Sequence, residues 1–496
     1  MAKQNIQKAI QDLKDIIVGK VPLPSDQVDQ ITLALLYKFM DDMDQLGMQM
    51  GGVATFFAED YEKYSWTKIM NKSNSAQQRY NLYAEGLEKF YGNSALPETF
   101  RSIFKDANIP YRDPETLTSF LRIIDENFDY NEDSEQLGDA YEFLLNSLGS
   151  AGDLGMFRTP RHIIDFIVSL VDPTKEDRIL DPACGTAGFL ISAYKYILNS
   201  NLDDDGKSNL TFDEKNKVLR NITGYDIAPS MVKISEMNMF LHGAAEPKIY
   251  EYDTLTYDDR WNDKFETILA NPPFMTPKGG IVPHNKFSIK SSKSEILFVD
   301  YIANHITSDG KAGIIVPDGV TFKKDKAFLS VRKDLLENSL WGVVSLPSGI
   351  FMPYANVSTY ILLLDKKIAK MRKNIMFVDL KNDGYSLSTQ RKKIEGNEIP
   401  ELTKEILSYK NDENYDSEKL LIIDKNKIAS NDYSFDINRY TDKSKGTVTN
   451  SESSDEIIKK ISKNQEEFNT LLKEIVGDIK WKNWMRYLIL NNQQNI

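Results

Sequence analysis

The chain has 496 residues, 41% of them hydrophobic, and a formal net charge of −12. That is enough apolar mass for two or three domain cores, and too acidic a balance for strong unaided binding to a phosphate backbone. A lone cysteine, Cys184, excludes an internal disulfide, and four scattered histidines offer no zinc-ligand spacing, so no metal is expected.

No apolar run approaches the roughly eighteen residues of a membrane span, and the opening MAKQNIQKAIQDLKD lacks the basic and apolar regions of a leader. A cytoplasmic protein without membrane attachment is therefore expected. The first third is helical in pattern. Ile31, Leu35, Leu36, Phe39, Met40 and Met43 recur at the three- and four-residue spacing of one helix face, and further helices are expected over 77–91, 117–127 and 138–148. Residues 1–150 hold 24 acidic and 14 basic side chains, a balance of −10, so most of the excess charge lies here. No catalytic constellation is visible before residue 150.

The pattern changes at GDLGMFRTPRHIIDFIVSLV (152–171). Thr159 reads as an N-cap with Pro160 at the first helical position, and Ile163, Ile164, Ile167 and Leu170 form the apolar face. RILDPACGTAGFL (178–190) then reads as a strand ending at Asp181, a small-residue loop and a helix start. Gly185 and Gly188 there allow a ligand close to the backbone. A loop of this type serves a dinucleotide equally well. What discriminates is the order of strands that follows: 221–226 ends in Asp226, suited to a ribose diol, 248–253 ends in Asp253, and 265–270 leads into Asn271-Pro272-Pro273-Phe274. Four successive strands thus place a polar residue at the carboxyl end, where open α/β sheets bind ligands.

Proline fixes its own φ and pushes the residue before it into extended geometry, so Asn271 and Pro272 are expected to be held stiffly. The Asn271 side-chain oxygen and the Pro272 carbonyl then form a pair of acceptors. An exocyclic amine on a heteroaromatic ring is a poor nucleophile because its lone pair is delocalised; two acceptors on its N–H bonds help draw that pair out of the ring plane. Phe274 supplies a plate on which an extruded base can stack. Four residues alone fit a proline turn closing a strand as well as they fit this chemistry.

Beyond the motif, 311–316, 341–346 and 358–365 read as the fifth to seventh strands, with helices over 294–307 and 325–338 between them. Residues 343–364 fit a terminal antiparallel hairpin. The loop 277–294 carries Lys278, Lys286, Lys290 and Lys293 with no acidic residue. It is read equally as a solvated loop and as a grip on DNA phosphates. After residue 380 the chain turns polar and lysine-rich. TDKSKGTVTNSESS (441–454) reads as a linker, and Ile457, Ile461, Phe468, Leu472, Ile475 and Ile479 outline an amphipathic helix followed by Trp481, Trp484 and Tyr487.

Taken together, FRTPR (157–161), DPACGTAGFL (181–190), YDIAP (225–229), the Asp253 strand end and NPPF (271–274) resemble a known family. GKAGIIVPDGVTF (310–322), DGYSL (383–387), NDYSFDINRY (431–440) and the LYKFMDD segment of the first third extend the match. The family is the modification subunit of type I restriction-modification systems, among the S-adenosylmethionine-dependent DNA adenine N6-methyltransferases. The fold implied is α/β: a Rossmann-like methyltransferase sheet over 151–380, an α-helical N-terminal domain (1–150), a polar extension and linker (381–454) and a helical C-terminal tail for subunit docking (455–496).

The resemblance implies that Met156, Phe157, Arg158, Thr159, Pro160, Arg161, Asp181, Gly185, Thr186, Ala187, Gly188, Asp226, Asp253 and Asn271 contact S-adenosyl-L-methionine. It also implies that Asn271, Pro272, Pro273 and Phe274 hold a flipped-out adenine of duplex DNA. Where many relatives have two adjacent aromatics before the Thr-Pro, this chain has Phe157-Arg158. The partners implied are a specificity subunit that chooses the site, a second modification subunit and a restriction subunit. The residues leave open a stand-alone adenine methyltransferase, a protein-glutamine or RNA amino methyltransferase, and an inactive cofactor-binding scaffold. A cytosine C5 enzyme fits poorly, since its nucleophilic cysteine is represented only by Cys184 in the donor loop.

Overall fold

The computed structural model describes residues 3–96, 98–128, 138, 141–145, 159–274, 276–352, 357–387 and 391–441. Met156, Phe157, Arg158, nearly all of the expected linker and the whole expected tail helix lie outside them. Met1–Arg439 form one compact unit and Tyr440–Ile496 a second. No helix among the described residues is long and apolar enough to cross a membrane.

The first third is helical, as its periodicity requires, with helices at Lys3–Ile17, Pro24–Gln49, Trp66–Ile69, Ala76–Phe90, Glu98–Ile103 and Pro114–Asn127. Their starts are written locally. Ser75 and Gln78 make a reciprocal capping box, and Asp113 caps a helix that opens on Pro114. The long helix Pro24–Gln49 differs from the single-face reading: every residue from Ile31 to Asp41 is buried. It runs through the middle of the bundle, so its polar members need partners. Lys38 pairs with Asp42, and Asp44 accepts the backbone N–H groups of Thr55, Phe56 and Phe57. The bundle's core also takes in Met237, Phe240 and Leu241 from a helix of the second part of the chain, Pro229–Leu241. Phe240 meets Phe100 edge to face at 4.8 Å.

The second part is a nine-stranded sheet in the order β3-β2-β1-β4-β5-β7-β6-β8-β9. The strands are β1 Ile179–Asp181, β2 Ile222–Asp226, β3 Lys248–Glu251, β4 Phe265–Ala270, β5 Ile306–Pro317, β6 Leu340–Ser345, β7 Thr359–Asp365, β8 Asn374–Asp379 and β9 Leu421–Asp424. β1 to β5 are parallel, and β7 runs antiparallel between β5 and β6. The expected hairpin of β6 and β7 is present, but it does not end the sheet. β8 joins β6 in parallel and β9 pairs with β8. Ile399–Asn411 and β9 therefore bring part of the stretch expected to be a polar extension into the fold.

Two local boundaries also move. Strand β3 stops at Glu251, and Asp253 lies in the turn beyond it, where its carboxylate accepts from the N–H groups of Leu255 and Thr256 and the Thr256 hydroxyl. The helix after Thr159 is Arg161–Val171 with Pro160 as its N-cap, because the Thr159 hydroxyl is bonded elsewhere.

What the sheet positions is decided by its order. The chain lays down β1, β2 and β3 outward in one direction, then returns to put β4 on the other side of β1. Loops leaving the carboxyl ends of β1 and β4 diverge, and the crevice between them is where such sheets hold ligands.

Candidate active site

At the end of β1, Asp181 is 2% exposed, and its carboxylate accepts the Ala183 N–H at 3.0 Å. Burial, with the nearby Asp226 charge, pushes its carboxyl up to about 8. The loop that follows turns on two left-handed residues, Gly185 at φ 54° and Ala187 at φ 64°. A β-carbon built on Gly185 meets nothing within 4 Å, so the loop leaves open space beside its backbone. Gly188, by contrast, is pressed against Ile164 and opens the helix Gly188–Asn199.

The polar groups of this loop are tied from behind. Gly185 N–H donates to Asp226 Oδ2 at 3.0 Å, and the Ala187 N–H donates to the Cys184 carbonyl at 2.8 Å. The Gly185 carbonyl accepts from the Ser235 hydroxyl, and the Thr186 carbonyl from Asn238 Nδ2 at 2.8 Å. Asp226 is half-buried at the end of β2, with its other oxygen on the Ala228 N–H at 2.9 Å. Burial raises its carboxyl despite those two bonds. With three backbone N–H donors on it, the carboxylate still has acceptor capacity toward a vicinal diol. Beside it Ile227 is 66% exposed, an apolar plate that sequence reading passed over although an isoleucine after a strand-end aspartate was there to be seen. Asp253 is placed less favourably, since three hydrogen bonds of its own turn occupy its carboxylate.

Cys184 is buried with its sulfur 3.8 Å from the Ser235 hydroxyl, and burial pushes its thiol well up. A thiol so held is no nucleophile at neutral pH.

At the end of β4, Pro272 is buried and Asn271 and Phe274 are half-buried. Asn271 Nδ2 donates to Thr159 Oγ1 at 2.7 Å. That bond crosses from the segment before the helix Arg161–Val171 to the strand end, with Nδ2 turned toward the Thr159 hydroxyl. Asn271 Oδ1 is buried and has no hydrogen-bond partner among the described residues. An orphan acceptor of this kind costs about 1–3 kcal/mol and calls for a reason. Phe274 lies edge to face with Phe351, centroids 5.6 Å apart. Behind Phe351, Arg391 donates to the Ile350 carbonyl at 2.6 Å and to both oxygens of Asp383. Asp383 in turn meets His162 Nε2 at 2.7 Å, and Tyr385 stacks on the His162 ring. The DGYSL stretch thus braces both the Phe351 side of the cleft and the helix that follows Thr159.

Thr159, Asp181, the loop 185–188, Asp226 and Asn271 are therefore grouped around the β1–β4 crevice. The lysine loop is less uniform: Lys286 is paired with Asp258 at 3.0 Å, while Lys278, Lys290 and Lys293 are exposed and form no ion pair among the described residues. No group of three or more His, Cys, Asp or Glu side chains able to hold a metal ion occurs among the described residues.

Comparison with known proteins shows the family and the fold. The methylase subunit of the type I restriction enzyme EcoEI from Escherichia coli is 30% identical over 271 residues, covering 54% of this chain and 54% of that one. The corresponding EcoKI subunit from Escherichia coli K12 is 28% identical over 321 residues, 62% of this chain and 58% of its own. The chain thus spans little more than half the length of these curated relatives. The crystal structure of a type I restriction-modification methyltransferase subunit from Streptococcus thermophilus superposes with a TM-score of 0.70 at 17% identity, covering 88% of this chain and 99% of that one, and so shares the fold. A family model for N-6 DNA methylase matches residues 132–448, which take in every strand of the sheet and the whole crevice. With more than half of its length matched, the chain belongs to the N-6 DNA methylase family.

Proposed function

We propose that the chain is the methylation subunit of a type I restriction-modification complex, transferring a methyl group from S-adenosyl-L-methionine to N6 of an adenine flipped out of duplex DNA. The observation that carries this reading is the Asn271 amide: its nitrogen is held by Thr159, and its oxygen is left as an acceptor that nothing in the described chain uses. An adenine exocyclic amine is a donor that matches it. Asn271 Oδ1 and the Pro272 carbonyl grip the two N–H bonds, and Phe274 stacks on the base.

The residues present fit the methyl donor. Open space beside Gly185 admits the ligand to the backbone, Asp226 takes the ribose hydroxyls and Ile227 packs on the donor's adenine. When bound, the donor supplies an electrophilic methyl on a sulfonium, a leaving group already charged. The residues of the chain orient the amine for direct displacement and form no covalent bond to it. In this reading the exposed Lys278, Lys290 and Lys293 meet DNA phosphates. Site choice falls to a specificity subunit, with a second copy of this chain and a restriction subunit completing the assembly. The relatives' description as type I methylase subunits and the −12 net charge support that dependence.

The test is transfer of a labelled methyl group to duplex DNA, with and without the co-expressed specificity partner. Incorporation only in the assembled complex is expected. Site-specific methylation by the isolated chain would overturn the partner dependence, and no incorporation by the assembly would overturn the activity.

A further inference from the structure

The helical first third shows no catalytic constellation in its sequence, yet one of its carboxylates reaches the side chains that hold the donor loop. Glu142, 7% exposed, lies in the helical stretch 141–145. One of its oxygens accepts from Asn238 Nδ2 at 2.7 Å and the other from Arg161 Nη1 at 3.1 Å. Asn238 is fully buried, and the same Nδ2 also donates to the Thr186 carbonyl at 2.8 Å. Arg161 opens the helix that follows Thr159, and its Nε pairs with Asp165 at 3.1 Å. A single side chain from the first third is thus one bond from Asn238 and Arg161, and through Asn238 two bonds from the donor loop.

The helix Pro229–Leu241 makes the arrangement rigid. Met237, Phe240 and Leu241 bury one face of it in the core of the helical bundle. Ser235 and Asn238, three residues apart and so neighbours on an adjoining face, hold the carbonyls of Gly185 and Thr186. Both carbonyls are drawn toward the interior and away from an incoming ligand. Without Glu142, the Asn238 amide loses one of the two acceptors that fix its direction, and the Arg161 guanidinium loses its buried counter-charge.

We infer that Glu142 is a positioning residue for the methyl-donor pocket, setting the Thr186 carbonyl through Asn238 and the start of the Arg161 helix through the guanidinium. Donor affinity then depends on the first third of the chain being docked. This rests on the reading of the crevice as an S-adenosyl-L-methionine site and adds residues to it that touch no reactant.

The experiment is calorimetric titration of S-adenosyl-L-methionine into the full-length chain, wild type against E142A, E142Q and N238S, each checked by thermal melting. Binding by wild type is the control for the underlying reading; its absence would refute that reading and the inference with it. With wild type binding, E142A and N238S are expected to weaken donor affinity about tenfold, the loss of one buried hydrogen-bond partner. E142Q, which keeps an acceptor for Asn238, is expected to recover most of that loss. In the assembled complex the same variants should raise KM for the donor and leave kcat at saturating donor and KM for DNA near wild type. Should E142A fail to fold, the comparison of E142Q with N238S carries the test. Donor affinity of E142A or of N238S equal to wild type, or a fall in kcat with donor KM unchanged, would overturn the inference.

Discussion

The two sides of the crevice are built on different plans. On the β1–β2 side nearly every polar group of the loop is satisfied from within: Gly185 N–H by Asp226, the Gly185 and Thr186 carbonyls by Ser235 and Asn238, and the Ala187 N–H by Cys184. On the β4 side the central group is held by one bond, from Asn271 Nδ2 to Thr159, and its oxygen has no partner among the described residues. A surface that binds one ligand in one pose gains from being stiff before the ligand arrives. A group that must act on a transient base is left unsatisfied, so that its bond forms with the reactant. On the proposed function, stiffness marks the binding side and an unmet acceptor the reacting side.

Substitutions on the reacting side should therefore change rate, and those on the binding side affinity. The largest effect is expected for N271A. Removing a preorganised acceptor should lower single-turnover methyl transfer by about two to three orders of magnitude. Donor binding by calorimetry should stay within about twofold of wild type. Equal loss of both would collapse the distinction. D226A should do the reverse, weakening donor binding roughly ten- to a hundredfold through loss of charge-assisted hydrogen bonds. Its rate at saturating donor should change little, and unchanged affinity would remove Asp226 from the ribose.

F274A lies between these in kind and below them in size. Loss of base stacking, about 1–3 kcal/mol in proteins that bind single strands, should appear in methylation of duplex DNA and not in donor binding. A fluorescent base analogue at the target adenine reports it: the variant should hold the base out less often, and an undiminished signal would assign Phe274 to packing against Phe351 alone.

How much of this was legible in the sequence follows the range of the interactions. β1, β2, β4 and their terminal residues were readable because a short apolar run ending in Asp or Asn is a local signal. The single-face reading of Pro24–Gln49 fell short because burial on every side depends on neighbours such as Tyr83, Leu87 and Phe240, which no periodicity in the helix itself records. β8 and β9 were missed because NIMFVD and LIID are short runs in a lysine-rich stretch, and their pairing with β6 and with each other is a tertiary fact. The Thr159 hydroxyl was read as a cap, the local use, whereas its partner is Asn271, 112 residues away. Glu142 was invisible for the same reason: its partner Asn238 is 96 residues away. Its one local sign is a charge set among Tyr141, Leu144 and Leu145, all fully buried.

The smallest predicted effect concerns Asp181 and sharpens the stiff side. Its carboxyl sits at about 8 in the folded chain against an ordinary 3.8, chiefly through burial. Folding therefore takes up a proton between those values, so this group's contribution to stability is fully present below about 4 and is lost as pH rises through about 8. D181N keeps an acceptor for Ala183 and removes the titration. The fall in melting temperature of the ligand-free chain between pH 5 and pH 8 should be shallower in the variant than in wild type. Parallel curves would show that Asp181 is ionised in the folded state.

The most direct measurement is the identity of the product. Duplex DNA would be incubated with the chain, its co-expressed specificity partner and S-adenosyl-L-methionine bearing a deuterated methyl group, then digested to nucleosides and analysed by mass spectrometry. Deuterated N6-methyladenine is expected with wild type, falling about two to three orders of magnitude with N271A under the same conditions. A deuterated methyl group on cytosine or on protein, or on adenine at equal yield from N271A, would contradict the account.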